Sequence, residues 1–377
     1  MHHRPPFLDL KPVRKRLWQK LSPFFYLVLS IVVGGFLVWI FWPHETRKLL
    51  VLAQVPQTPA PVKITSNPPP VIIVSNPPPK IQNHASAPVI SGTRPVQTIL
   101  EEQITLVRLG LSPGSIDGVA GSQTRTALMA FQKKEGIDPT GSLDAQTRPQ
   151  LTISLPATTE YTITAEDLAR LHPVPKTWLE KSQLARLDFE TITELLGEKA
   201  FCSPHLVRAL NPEIDWTNVT AGTAVTLPQV EYPAPGGRVA LIKISLHDCI
   251  LEAFDEETNL LVHFPCSIGR LAEKRPVGEL HVATVAIDPN YTFDPAVFPE
   301  SAEAQQVGRK LIIPPGPNNP VGVAWIGLDR PGYGIHGTPA PEQVGRTESH
   351  GCFRLANWNA SYLAKLVWVG LPVQVEN

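Results

Sequence analysis

Neither sign of charge dominates this 377-residue chain: 33 Lys and Arg stand against 34 Asp and Glu, a formal net charge of −1. That balance excludes a nucleic-acid partner held by neutralised phosphates. Cysteine is scarce, with four residues at positions 202, 249, 266 and 352. Neither a C-x-x-C nor an H-x-x-x-H spacing occurs, so the usual zinc signatures are missing. Proline, by contrast, is abundant. Forty prolines are too many for one compact domain of this length, so part of the chain lies outside any core.

Two N-terminal segments depart from a globular composition, and the second of them is rich in proline. Phe24 to Trp42 is an uncharged apolar run of 19 residues, about 28 Å as a helix and close to the thickness of a bilayer core. Arg4, Lys11, Arg14, Lys15, Arg16 and Lys20 precede it, which places residues 1–23 in the cytoplasm. Trp39, Phe41 and Trp42 close it as an interfacial belt would. A cleaved signal peptide has an apolar region of about 7–15 residues and a small-residue cleavage site. Here the run is longer and Pro43-His44-Glu45 follows. The expectation is a transmembrane anchor over 24–42, single-pass in the inner (cytoplasmic) membrane, with the C-terminal domains in the periplasm. Residues 43–96 then read as a Pro-rich linker, in which Ser66-Asn67-Pro68-Pro69-Pro70 recurs as Ser75-Asn76-Pro77-Pro78-Pro79. About 40 such residues at ~3.1 Å each reach about 130 Å when extended. A tether and a neutral linker are equally compatible with this composition.

Three folded pieces follow. In residues 97–152, Leu100, Ile104, Val107 and Leu111 predict an amphipathic helix, and Gly110, Gly114, Gly118 and Gly121 mark tight turns. Thr124 reads as the cap of a second helix running through Ala127, Leu128 and Phe131. The set Asp117-Gly118, Gly121, Thr124, Ala127-Leu128, Phe131-Gln132, Thr140-Gly141 and Thr147 resembles the peptidoglycan-binding-domain 1 family. That resemblance implies a small three-helix module that holds wall glycan, although these residues mostly shape the fold.

In residues 159–230, Glu194-Leu195-Leu196 precede a helix-loop pattern ending in Leu210-Asn211-Pro212, and Gly222 to Pro228 follows as a strand. This resembles a LysM repeat, a module that binds N-acetylglucosamine polymers. The usual LysM opening is missing, and a structural spacer docked on the next domain is the rival reading.

Residues 238–377 begin with a strand over Val239 to Leu246. Cys249 to Phe254 and Leu260 to Cys266 form hairpin arms around Asp255 to Asn259. More short strands follow, and then one helix near Ala360 to Val367.

The chemistry sits near the C-terminus, in Gly334-Ile335-His336-Gly337-Thr338 and Ser349-His350-Gly351-Cys352-Phe353-Arg354. A free cysteine is mostly thiol at neutral pH, and an imidazole within reach turns it into a nucleophile. These residues, with Asn357, Arg275-Pro276-Val277-Gly278 and Asp288-Pro289-Asn290-Tyr291, resemble the L,D-transpeptidase catalytic domain, also called the YkuD or ErfK/YbiS/YcfS/YnhG family. Phe353 replaces the family's usual aliphatic residue.

The resemblance implies a mostly β catalytic domain without cofactor or metal. Cys352 attacks the third-residue carbonyl of a peptidoglycan tetrapeptide stem, and an amine from another stem or from a wall-linked lipoprotein resolves the thioester. His336 is the base, and its second nitrogen needs an acceptor such as the Gly337 carbonyl. His350 shapes the loop or steadies the oxyanion beside Gly351, with Ser349 and Gly337 in the same loop set. Arg354, Tyr333 and Thr338 are the substrate-binding candidates, with a structural ion pair as the alternative for Arg354. Asn357 braces the loop.

Two rivals remain: a cysteine hydrolase that trims stems as an L,D-carboxypeptidase, with water as acceptor, and a non-catalytic wall-binding protein. A zinc site from His336, His350 and Cys352 is disfavoured by the resemblance. Cys249 and Cys266 fall opposite each other on the hairpin, as two buried thiols or a disulfide, and Cys202 has no evident partner.

Overall fold

The computed structural model describes residues 92–377 except 235, 272, 274, 298–300 and 347–350. The basic tail, the apolar run and nearly all of the proline-rich linker lie outside the described residues, as do Ser349 and His350. Among the described residues no helix is long and apolar enough to cross a membrane.

The first described strand is β1 (Arg94–Pro95), inside the segment read as linker, which pairs antiparallel with β2 (Thr152–Ile153) across the first module. Between them lie α1 (Ile99–Arg108) and α2 (Ser122–Lys134). Thr98 caps α1 by accepting the Glu101 N–H, and Arg94 pairs with Glu101 at 2.6 Å. Thr124 is not a cap. It lies inside α2, buried, where it accepts from Gln103 Nε2, and the N-cap position falls on Gly121. The motif residues hold turns together. Gln103 also bonds Asp117 and Gly118, and Gln132 gathers Thr140, Gly141, Ser142 and Thr147. The expected third helix does not form: residues 145–150 make only turns, tied by Arg148 N to Asp144 O and Leu151 N to Thr147 O.

In the second module β3 (Thr158–Thr162) is followed by α3 (Ala165–Ala169), α4 (Trp178–Lys181), α5 (Ile192–Lys199) and α6 (Pro204–Leu210). The chain then returns through β4 (Ala224–Pro228), antiparallel to β3. Glu194, Leu195 and Leu196 lie within α5 rather than ahead of it, because Thr191 and Glu194 form a capping box that starts the helix there. Asn211 ties α6 to β4, donating to Val207 O and Thr226 O and accepting the Thr226 N–H.

The third module is an eight-stranded mixed sheet. Its strands are β5 (Leu241–Ser245), β6 (Ile250–Phe254), β7 (Leu260–Pro265), β8 (Gly278–Ile287), β11 (Ala324–Leu328), β12 (Gly334–His336), β13 (Phe353–Arg354) and β14 (Pro372–Glu376). Their order is β13-β12-β11-β8-β14-β5-β6-β7, with β12/β13 and β14/β5 parallel. A separate excursion carries β9 (Tyr291–Phe293), α7 (Ala302–Val307) and β10 (Leu311–Ile313), with β9 and β10 paired. The single long helix, α8 (Asn357–Leu366), starts three residues earlier than the apolar spacing indicates.

Packing merges the modules. Leu106 faces Leu128, Phe131 and Leu151 in a local core, whereas Ile104 and Val107 join Leu195, Val225, Ile242, Phe264 and Ile335 in one large core. The first module also covers the sheet edge: Ser112 N donates to His263 O at 2.8 Å, and His263 N to Gly110 O at 3.1 Å. Across the hairpin Cys266 N donates to Cys249 O at 2.8 Å. Both are thiols, with Cys249 Sγ 3.7 Å from Leu246 O and Cys266 Sγ 3.5 Å from Ser267 O. Cys202 is also buried, and that burial pushes its thiol up to about 12.

Candidate active site

The register of two short parallel strands assembles the site. Ile335 pairs with Phe353 and His336 with Arg354, so one step back sets Cys352 beside Gly334. Side chains alternate between the faces of a strand. Ile335 and Phe353, both fully buried, point into the core, while His336, Arg354 and Cys352 share the opposite face. The ten residues between the motifs, 339–348, thus let the second strand return alongside the first.

Cys352 is half-buried, with Sγ 3.4 Å from Gly332 O. Burial raises its pKa, while the Gly334 N–H and the Arg354 cation favour the thiolate. His336 is only 5% exposed, and its Nδ1 lies 2.6 Å from Gly337 O, the acceptor named from the sequence. A carbonyl can only accept, so Nδ1 carries the proton and Nε2 keeps its lone pair. Burial lowers the His336 pKa to about 4, against the Gly337 hydrogen bond, and the Arg354 cation lowers it further. The imidazole is therefore neutral at neutral pH. Trp325, opposite it on β11, stacks on the ring at 5.6 Å between centroids.

The remaining candidates divide. Arg354 is half-buried, which lowers its pKa, and its backbone pairs with Ser267 in both directions at 2.9 and 3.0 Å. Thr338 is buried and accepts the Ala340 N–H, so its hydroxyl oxygen serves the loop. Tyr333 lies in the turn before β12, its carbonyl taking the Leu328 N–H and its ring 4.7 Å from the Arg330 guanidinium. Asn357, 1% exposed, accepts the Val323 N–H and donates to Pro317 O at 3.2 Å and Glu198 Oε1 at 2.9 Å. Among the described residues no cluster of three His, Cys, Asp or Glu could hold a metal.

Sequence reasoning gave three neighbours no role. Tyr291, at the end of its motif, is half-buried; burial raises its pKa, with the Cys352 and Asp294 charges adding to the effect. Trp325 carried no signal beyond its place in a strand. Glu198 lies more than a hundred residues upstream and reaches the site only through tertiary contact.

Comparison with known proteins agrees with this geometry. Residues 240–375 match the model of the L,D-transpeptidase catalytic domain (YkuD), and residues 97–151 match that of the "Putative peptidoglycan binding domain". A Bacillus licheniformis protein, "Putative L,D-transpeptidase YkuD", is 26% identical over 187 residues, 49% of this chain and 93% of the relative. The probable L,D-transpeptidase YbiS of Escherichia coli is 31% identical over 167 residues, 44% of this chain and 53% of the relative, so the chain spans about half of that protein. A solved L,D-transpeptidase from Xylanimonas cellulosilytica is 15% identical, covers 75% of this chain and 94% of its own, and has a TM-score of 0.32. That structural likeness is weak, and the assignment stands on the sequence matches. The C-terminal module belongs to the L,D-transpeptidase catalytic-domain family. Residues 97–151 match the putative peptidoglycan binding domain, and the two matches support an L,D-transpeptidase activity for the C-terminal module with peptidoglycan as its substrate class.

Proposed function

We propose that this L,D-transpeptidase acts on peptidoglycan tetrapeptide stems through an acyl-enzyme on Cys352. The observation that carries the reading is a neutral, buried imidazole with its Nδ1–H held by Gly337 O, on the same sheet face as the thiol. At rest the pair is thiol and imidazole rather than thiolate and imidazolium. As Sγ attacks the third-residue carbonyl, its proton passes to His336 Nε2. The carbon–nitrogen bond breaks, the terminal D-alanine amine leaves with that proton, and a thioester remains. An acceptor amine then gives its proton to His336, attacks the thioester and restores the thiol. One amide replaces another, so no nucleotide is consumed. Backbone N–H groups of Gly351 and Cys352 suit the oxyanion, with Ser349 and His350 in the same loop. Arg354 suits a stem carboxylate, beside Tyr333 and Thr338.

The acceptor in this reading is a stem amine or a wall-linked lipoprotein. The peptidoglycan-binding module and the LysM-like module at 159–230 hold glycan. The apolar run at 24–42 anchors the chain in the inner membrane, with the modules in the periplasm.

The test is acylation by a carbapenem, a strained amide that a thiolate opens, followed by intact-protein mass spectrometry. One adduct is expected on the wild-type chain and none on Cys352→Ala. An adduct that persists on Cys249 or Cys266 would sink the assignment.

A further inference from the structure

The family match begins at residue 240, yet the side chain that finishes the bracing of the catalytic strand comes from the second module. Asn357 Oδ1 presses on the backbones of Gly322 and Gly337 so closely that a Cβ on either glycine would lie 2.0 or 2.3 Å from it. The Gly337 peptide supplies the carbonyl that orients His336 at 2.6 Å. Asn357 therefore fixes the group that fixes the base. Asn357 is held in turn by two acceptors for its amide hydrogens, Glu198 Oε1 at 2.9 Å and Pro317 O at 3.2 Å. The second module controls both. Glu198 lies on α5, and the loop carrying Pro317 is gripped by the same module: Leu187 N donates to Pro315 O at 2.8 Å, and Asn318 Nδ2 donates to Asp188 O and Glu194 Oε1 at 2.8 and 2.7 Å.

We propose that Glu198 is a positioning residue for the transpeptidase reaction, acting through Asn357 and the Gly337 peptide to hold His336 in register with Cys352. The second module is thereby part of the catalytic apparatus and not only a spacer or a glycan holder. Glu198 is half-buried, with its carboxyl turned inward to Asn357. Burial, with Glu194 and Glu342 adding to it and Asn357 opposing, pushes its pKa up to about 8, so it sits there as a neutral acid that still accepts the Asn357 hydrogen.

The inference rests on the transpeptidase reading, and acylation of the full chain by a carbapenem separates the two. Glu198→Ala should lower the limiting acylation rate about 10–100-fold, because a base displaced by an ångström costs on that order. The concentration giving half that rate should change less than about twofold. Glu198→Gln, whose amide oxygen accepts the same hydrogen, should recover the rate to within about threefold. Glu198→Asp, which withdraws the carboxyl by one methylene, should be slowed several-fold and serves if the alanine variant fails to fold. A wild-type rate in Glu198→Ala or Glu198→Asp, or a glutamine variant as slow as alanine, overturns the proposal while leaving the transpeptidase reading intact. A wild-type chain that is not acylated overturns both.

Discussion

At the scale of single residues, the site is governed by how burial sets two protonation states. A base useful at neutral pH must be unprotonated, and the interior holds His336, the proposed base, in that state by lowering its pKa to about 4. The acid limb of the acylation rate against pH should therefore bend near pH 4, and a midpoint between 6 and 7 would show that His336 titrates as an ordinary imidazole. The same displacement bears on stability. The unfolded chain binds a proton at this histidine below about 6.5, whereas the folded chain waits until about 4. The unfolded state thus carries more protons in that window, and stability rises with pH across it. The contribution is fully present above pH 6.5 and is lost as pH falls toward 4. Its size is on the order of 3 kcal/mol, measurable by denaturant unfolding at several pH values against His336→Gln.

At the scale of elements, two strands of three and two residues position the proposed base and nucleophile, which is too little ladder to hold itself. Their stiffness comes from close contacts around them. Gly316 adopts φ +138°, and a Cβ there would lie 2.1 Å from Leu187 O. Gly316→Ala should therefore force the loop carrying Pro317 and Asn318 away from the second module. The combined strain and overpacking predict a loss of roughly 2–4 kcal/mol in denaturant unfolding, with slower acylation as Asn357 loses a brace. An alanine variant with wild-type stability would show that this contact yields easily. Strand identity follows the same logic: the alternation across Ile335-His336 and Cys352-Phe353-Arg354 requires one face in the core and one toward the reaction.

At the scale of the whole molecule, the modules are not beads on a string. Ile104 and Val107 of the peptidoglycan-binding module and Leu195 and Val225 of the second module share a core with the catalytic sheet. Gln123 of the first module donates to Val344 O, in the loop that leads toward the nucleophile. Cutting the chain at its apparent boundaries would expose this shared apolar surface. A fragment of residues 97–152 should lose cooperative thermal unfolding, and a fragment starting at Val239 should be acylated at least about tenfold more slowly than residues 92–377, lacking both its cover and Glu198. Circular dichroism melts and acylation rates of the three chains check this. A Val239 fragment with the full rate would return the catalytic module to independence.

Much of this was legible in one dimension. The family resemblance carried by the I-H-G-T and S-H-G-C-F-R motifs points to Cys352 and His336 as the proposed nucleophile and base, and the Gly337 carbonyl expected beside His336 lies 2.6 Å from its Nδ1, a contact between neighbours in sequence. The hairpin arms around Asp255 to Asn259 follow from alternation and turn residues, and the structure places β6 and β7 within a residue of them. Helix starts were less legible. Thr124 looked like a cap and Glu194 like a prelude, because capping competes with buried hydrogen bonds that only the fold supplies. The third helix of the first module reduces to turns, since local propensity there is outweighed by Asp144 and Gln132 taking the loop's hydrogen bonds. The neutral state of His336, the reach of Glu198 to Asn357 and the fusion of three modules into one core were decided by tertiary structure alone. Burial and contacts across more than a hundred residues are properties of the packed chain, and no local pattern encodes them.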